Sequence, residues 1–349
     1  MDKGSILFRV DGSQALGLGH LMRCLALAES LRNSLEEVGE GGDIHFAVKR
    51  EHAVRRILSS ASSVDSIHWV EEGAEEESLK EIVRKVKPKT VITDIDLRGK
   101  VEEYLSLIYP SLSVSLHEHN YSILNGDIVV APTVLPLPIA PQGSLGLTHF
   151  TGADYLLLSP EISEWRSRLV PPSEAPRKVF VSMGGGDPKN LTKLVLSVAE
   201  TLLFSLEWHV VIPPAGEVRE AEFHSGASEV LFFIHPGWKL SRSEFFELLS
   251  SADLVVTNGG TTLYESLAMG KPTVSVPQNE FEWEVAKQLG SEGVCAGVLE
   301  ASEEHLSEVL MSLLEDAGKR LEMSKAGLEK IDGEGCRRVA RLIRSRMGR

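Results

Sequence analysis

Arg9-Val-Asp-Gly-Ser-Gln-Ala-Leu-Gly-Leu-Gly-His-Leu-Met-Arg23 is the stretch that decides the fold of this chain. The apolar run Ser5–Val10 predicts a short buried strand, and Leu21, Leu25, Ala28 and Leu31 recur at helical spacing. The loop between them therefore leaves a strand at its C-terminal end and opens a helix, which is the place where α/β folds bind ligands. Gly17 and Gly19 allow a tight turn and a close backbone approach, and the first amides of the helix are unpaired donors suited to an anion. His20 stands at the lip of that loop. Histidine at a helix start is often without a task, so its role depends on what the rest of the chain supplies.

A glycine loop before a helix also suggests a dinucleotide site. Here the third glycine position is Met22 and no acidic residue closes the next strand, so a nicotinamide or flavin site is not expected.

Outward from this loop, strand and helix signals alternate. Asp43–Val48, Ile67–Val70 and Thr90–Asp94 read as strands, with helices through Val54–Leu58 and from Glu75 to Val86 between them. Leu112–Leu116 and Asp127–Val130 extend the series until Pro132, Pro136, Pro138 and Pro141 break it. Ser159-Pro-Glu-Ile-Ser-Glu-Trp-Arg166, followed by Pro171, Pro172 and Pro176, reads as a linker. The pattern then restarts: a strand at Lys178–Met183, a glycine loop at Gly184-Gly-Gly186, a helix from Leu191 to Leu203, and strands at Trp208–Ile212, Val230–Ile234, Leu254–Thr257 and Thr273–Val276. Two α/β halves with parallel sheets follow.

Composition agrees. The 349 residues suit two domains, and 42% hydrophobic but only 6% aromatic content suits the aliphatic core of parallel sheets. A formal net charge of −14 argues against general nucleic-acid binding, so an anionic ligand has to be held by local amides and dipoles. The basic C-terminal segment, with Arg337, Arg338, Arg341, Arg344, Arg346 and Arg349, reads as a solvated face or a clamp onto the rest of the chain. Cys24, Cys295 and Cys336 are scattered and odd in number, which fits a reducing compartment, taken as the cytoplasm, and gives no zinc spacing. No apolar run has the length of a membrane span, so stable membrane insertion is not expected. The sequence does not set an oligomeric state, and a monomer is the default expectation.

The second half holds the stronger ligand signal. In Asp253-Leu-Val-Val-Thr-Asn-Gly-Gly-Thr-Thr-Leu-Tyr-Glu265, a strand feeds Asn258, Gly259, Gly260, Thr261 and Thr262 into a helix that contains Glu265. Amides and two hydroxyls at one helix N-terminus suit a diphosphate, and a carboxylate one turn on can accept from both hydroxyls of a ribose. Gly184 and Gly185 can admit a ligand to the same domain's edge, although Ser182–Asn190 lacks the ending of an ATP-binding P-loop. Asp187-Pro188 there reads as a helix-entry device. Gln278, Asn279 and Glu280 end a further strand and are candidate readers of sugar hydroxyls. Asp94 and Asp96 end a strand in the first half, and His117-Glu118-His119 ends another. Neighbours on a strand alternate faces, so that triple does not make a metal site and none is expected.

Arg9-Val-Asp-Gly-Ser13, Gly17-Leu-Gly-His-Leu-Met-Arg-Cys-Leu25, Gly152-Ala-Asp-Tyr-Leu-Leu-Leu-Ser-Pro-Glu161, Gly184-Gly-Gly-Asp-Pro-Lys-Asn-Leu-Thr192, Gly259-Gly-Thr-Thr-Leu-Tyr-Glu265 and Asp332-Gly-Glu-Gly-Cys-Arg-Arg-Val339 together carry a family resemblance. The chain resembles the nucleotide-sugar hydrolases of pseudaminic-acid biosynthesis, which remove UDP from UDP-2,4-diacetamido-2,4,6-trideoxy-altrose, and the related spore-coat polysaccharide proteins. The resemblance implies a GT-B fold, two Rossmann-like doubly wound domains facing a cleft, related to the transferase that makes peptidoglycan lipid II. It implies a catalytic-loop domain at residues 1–160, a nucleotide-binding domain at 177–330, and a C-terminal helix in 331–349 that packs back on the first. It further implies a UDP-sugar as substrate, no metal or other cofactor, and His20 as the base that activates water at the anomeric carbon. Asp11, Gly17, Gly19 and Arg23 join the substrate-binding set through the first two motifs. Where the family often has Asp-His-Tyr this chain has Asp94-Ile-Asp96, Tyr264 replaces an Asn before the glutamate, and Asn279-Glu280 replaces Asn-Gln. These differences fall around the sugar, so the resemblance is stronger for the UDP half of the site than for the altrose half. A transferase of the same architecture, or a nucleotide-sugar binding protein without turnover, would share these features.

Overall fold

The structure is a computed structural model and describes residues 4–13, 17–95, 101–116, 126–136, 148–213, 230–237 and 239–347. Asp96, His117, Glu118, His119, Pro138, Pro141 and Arg349 lie outside the described residues, as do residues 14–16 of the opening loop. The chain forms two compact units, one of residues Met1–Pro160 with Gly333–Arg349, the other of Glu161–Asp332.

The first unit holds strands β1 (Ile6–Val10), β2 (Ile44–Lys49), β3 (Ser66–Val70), β4 (Thr90–Asp94), β5 (Leu112–Leu116), β6 (Ile128–Ala131) and β7 (Thr148–Thr151). Helices α1 (Gly19–Glu36), α2 (His52–Ser60), α3 (Glu75–Val86) and α4 (Val101–Ile108) connect the first five of them. All pairings are parallel, in the order β3-β2-β1-β4-β5-β6-β7. A strand in such a sheet is covered on both faces, and β1 is apolar on both. Ile6, Phe8 and Val10 enter one core with Leu21, Leu25 and Leu31 of α1, while Leu7 enters another with Leu79 and Ile82 of α3.

The second unit opens with α5 (Ile162–Arg166), in the stretch expected to be linker. Ile162 is fully buried, and the Arg166 guanidinium donates to the carbonyls of Ala268, Leu328 and Ile331. The unit therefore begins at Glu161, not at residue 177. Its strands are β8 (Lys178–Ser182), β9 (Glu207–Ile212), β10 (Leu231–Pro236), β11 (Leu254–Thr257), β12 (Thr273–Ser275) and β13 (Ala296–Gly297). Its further helices are α6 (Leu191–Thr201), α7 (Arg242–Ser251), α8 (Thr261–Ala268), α9 (Glu280–Ser291), α10 (Glu303–Glu315) and α11 (Ala317–Lys330). The order β10-β9-β8-β11-β12-β13 repeats that of the first unit's leading six strands, again all parallel. In each unit the winding reverses beside the first strand, between β1 and β4 and between β8 and β11, and loops leaving the sheet at such a point bind ligands.

The chain ends in α12 (Gly335–Arg346), which lies against α1 in the first unit. Cys336, Val339, Ala340 and Ile343 enter the core that holds Leu27 and Leu31, and Arg344 donates to the Ser34 carbonyl. Gly335 passes so near Leu156 that a Cβ would lie 2.1 Å from its carbonyl oxygen. All three cysteines are free and buried.

A further echo joins the units. His45 of β2 and His68 of β3 bring ring nitrogens to 3.2 Å, and His209 of β9 and His235 of β10 do the same on the matching diagonal of the second sheet.

Candidate functional site

The first unit's switch point is polar and charged. Gly17 turns at φ 79°, its carbonyl accepts from Ser13, and α1 starts two residues later with no side-chain cap. His20 is thereby the second residue of the helix, its side chain 36% exposed. Asp94 ends β4 in register with Val10 of β1, so the sheet order alone brings it under the loop. Its Oδ1 lies 2.7 Å from His20 Nδ1. Arg23, one turn beyond His20, grips the same carboxylate with Nε on Oδ2 and Nη2 on Oδ1, both at 2.6 Å, and Cys24 Sγ stands 3.5 Å from Oδ2.

Asp94 is fully buried. Burial alone would raise its carboxyl, but the charges and hydrogen bonds of Arg23 and His20 outweigh it and hold the group well below the usual carboxylate range. An ionised carboxylate only accepts, so His20 Nδ1 is assigned as the donor. That tautomer leaves a lone pair on Nε2, which makes no hydrogen bond among the described residues. Arg23 Nη2 also lies 2.9 Å from Nδ1, but a guanidinium only donates, so with the proton on Nδ1 this approach is a contact and the ring is held by Asp94. The arrangement is that of an oriented base, with a buried carboxylate holding the ring and its tautomer.

The other expected residues of this loop have protein partners. Asp11 faces Arg9, whose Nη2 donates to Oδ2 at 2.9 Å while Nη1 reaches the Val10 carbonyl at 3.0 Å. Arg9 is buried, so Asp11 neutralises a core cation and ties the loop to β1. Arg23 is likewise 4% exposed and committed to Asp94. Both position the loop, whereas His20 and Gly19 offer atoms to solvent.

The second unit's switch point is built from amides. After β8, Gly184 turns at φ 77°, packed under the Asn258 side chain. Asp187 accepts from the amides of Leu191 and Thr192 at 2.7 and 2.8 Å, so the start of α6 already has its anion. After β11, by contrast, α8 begins at Thr261 with no side-chain cap and no acidic residue in its first turn. Thr261 and Thr262 offer the amides and hydroxyls there that suit a diphosphate, while the Gly260 amide donates to Asn258 Oδ1 at 3.3 Å.

That loop is shaped from behind by Glu282 of α9. Its carboxylate accepts from Asn258 Nδ2 at 3.0 Å, Gln278 N at 2.7 Å and Gly259 N at 3.4 Å. A Cβ on Gly259 would fall 2.6 Å from Glu282 Cβ, which explains the glycine by close approach. Gln278 donates its amide to the carbonyls of Met183 and Gly186, at 2.9 and 3.1 Å, tying the two glycine loops together, and its buried Oε1 has no partner among the described residues. Asn279 caps α9 through Glu282 N, and Glu280 is exposed. Of the trio expected to read sugar hydroxyls, two have structural bonds to make first.

Glu265 is 1% exposed and pairs with Arg242 of α7, whose guanidinium lies 4.6 Å over the Phe246 ring. Burial raises its carboxyl and Arg242 opposes that shift. Sequence reasoning named Asp94 as a strand end and, through the resemblance, as a position around the sugar, without linking it to His20, and missed Arg242 and Glu282 altogether. The adjacency of β1 and β4 in a doubly wound sheet was the signal for Asp94, whereas nothing local marks the other two. Among the described residues no group of three or more His, Cys, Asp or Glu side chains could hold a metal ion, and no helix is long and apolar enough to cross a membrane.

Comparison with known proteins agrees with this architecture. Residues 242–334, from α7 to the approach of α12, match the glycosyltransferase family 28 C-terminal domain. The spore coat polysaccharide biosynthesis protein SpsG of Bacillus subtilis (strain 168) is 24% identical over 346 residues, covering 95% of this chain and 96% of that protein, which bears out the expected resemblance. Among solved structures, MurG of Acinetobacter baumannii superposes with a TM-score of 0.67 at 13% identity, covering 98% of this chain and 99% of that one. The spinosyn forosaminyltransferase SpnP gives 0.67 at 15% identity over 100% of both chains. These likenesses show the GT-B fold.

Proposed function

We propose that the chain is a UDP-sugar hydrolase of polysaccharide or nonulosonic-acid biosynthesis. It cleaves the anomeric C–O bond of a UDP-linked diacetamido-trideoxy sugar to release UDP. The observation that carries this reading is His20, held through Nδ1 by the buried Asp94, with an Nε2 that makes no hydrogen bond among the described residues. In this mechanism Nε2 accepts a proton from water as the water oxygen attacks the anomeric carbon, the C–O bond to the diphosphate breaks with inversion, and the imidazolium proton later returns to solvent. The departing diphosphate is stabilised by the amides and hydroxyls of Thr261 and Thr262 at the uncapped start of α8, joined by the Gly260 amide once it leaves Asn258 Oδ1. Gly17 and Gly19 let the backbone approach the sugar, Gly184, Gly185, Asn258 and Gly259 shape the nucleotide loops, and Glu265 accepts from the ribose. Asn279 and Glu280 line the sugar side, and Asp11 and Arg23 act through the loop they brace. The SpsG likeness and the family 28 C-terminal domain support a nucleotide-sugar enzyme.

A glycosyltransferase is the second reading, favoured by the family 28 match, with His20 taking the proton from an acceptor hydroxyl. One experiment separates them: the protein is incubated with UDP-diacetamido-trideoxy-altrose and UDP release is followed with and without acceptors. Hydrolysis in water alone, lost in His20→Ala, is the expected result; turnover only with an acceptor selects the transferase. Tight UDP-sugar binding with no turnover under either condition selects a binding protein.

A further inference from the structure

Glu282 poses an electrostatic problem for the site just described. A carboxylate stands directly behind a loop proposed to hold a diphosphate, bonded to the Gly259 amide of that loop, to Asn258 beneath it and to Gln278 beside it. Like charges so placed repel, and a buried setting screens them poorly. The surroundings supply little compensation. From the loop after β8 the nearest cation is Lys189, which is exposed, while Asp187 on that loop is spent on the start of α6. The loops after β11 and β12 present Asn258, Gly259, Gln278 and Asn279, all uncharged, and on α9 itself Glu280 is exposed. Burial already pushes the Glu282 carboxyl up, against the opposing pull of its amide donors and Lys189. Bringing a diphosphate to the other side of Gly259 adds to the same side of the balance.

We propose that Glu282 is the positioning residue of the nucleotide cradle and that a nucleoside-diphosphate sugar enters with uptake of one proton from solvent onto its carboxyl. Empty, the ionised carboxylate keeps the loop in shape by holding three donors. On binding, the proton removes the repulsion and weakens the hold on Gly259, whose bond at 3.4 Å is the loosest of the three, so that amide turns to the ligand. This rests on the reading of Gly260–Thr262 as a diphosphate site.

The test is titration calorimetry of the full chain with UDP-N-acetylglucosamine and with UDP, in buffers of different ionisation enthalpy and over a range of pH. The diphosphate diester of the former has no group that titrates near neutral pH, and the proton balance of the latter is corrected for its own phosphate. Wild type takes up close to one proton per ligand at the alkaline end, where its affinity falls by up to about tenfold per pH unit. Glu282→Gln keeps a group of the same shape, takes up none, and binds with an affinity that does not vary with pH. His20→Gln takes up the same proton as wild type. Binding by wild type with no proton uptake overturns the inference and leaves the nucleotide reading intact, as does undiminished uptake in Glu282→Gln. Failure of wild type to bind either ligand overturns both.

Discussion

The two units wind their first strands in the same order, yet fill the equivalent switch points differently. Between β1 and β4 stand an imidazole, a carboxylate and a guanidinium, bonded at 2.6 to 2.7 Å and largely buried. Between β8 and β11 stand glycines, threonines and a helix start left uncapped. One sheet edge is arranged to hold a proton acceptor in a single orientation, the other to present backbone dipoles to something negative. On the function proposed above, one fold serves chemistry in the first unit and grip in the second, and the residues at the two switch points make the difference.

Substitutions that separate chemistry from grip test that division most severely. His20→Ala is expected to lower UDP release about 10²- to 10⁴-fold while calorimetry finds UDP affinity unchanged; a parallel fall in affinity would merge the two roles. Asp94→Asn removes the buried charge that the Arg23 guanidinium grips, at about 3–5 kcal/mol in unfolding free energy, and lets the ring of His20 turn. Denaturant titration and kinetics should both register it, and a variant as stable as wild type would refute the described pairing. In the other copy, Gly259→Ala drives a methyl into Glu282 and should cost about 1–3 kcal/mol, read as weaker UDP binding with the first unit's stability untouched. Glu265→Ala should weaken UDP binding about tenfold, near 1.4 kcal/mol, with the catalytic step in bound substrate unchanged. Full affinity in that variant would remove Glu265 from the ribose.

The smallest effect concerns what the units share. His45, His68, His209 and His235 are all pushed below the ordinary histidine value, chiefly by burial, reinforced in His68 and His235 by the partner ring. The unfolded chain then binds protons first, so stability is full above about pH 6.5 and declines as pH falls from there through the lowered folded values. Melting temperature against pH should show this decline, and replacing His68 and His235 by Asn should flatten it. An unchanged slope would assign the acid sensitivity to other groups.

Much of this was legible beforehand. Glu75–Val86, Thr90–Asp94, Leu112–Leu116 and Leu254–Thr257 have the bounds read from periodicity, because buried strands and an amphipathic helix leave strong local patterns. Ile162–Arg166 was misread because its flanking prolines look like a linker, while the contacts that order it come from Ala268, Leu328 and Ile331, far along the chain. At the site, His20 and the Gly259–Thr262 loop stood out by composition. Asp94 acquires its role only when two strands far apart in sequence lie side by side. Gln278 stood out as a candidate reader of sugar hydroxyls and Glu282 not at all; the inward direction of both is set by the glycine loops they bond to.

The return of α12 to the first unit bears on how the chain is made. Synthesis runs from the N-terminal side onward, so the segment that supplies Val339, Ala340 and Ile343 to the first core emerges after the whole second unit. The unit whose strands are translated first is therefore the last able to close, and the His20 helix waits with part of its apolar face uncovered while residues 161–332 fold. Loss of the final helix would then disable the domain most distant from it in sequence and leave its immediate neighbour folded.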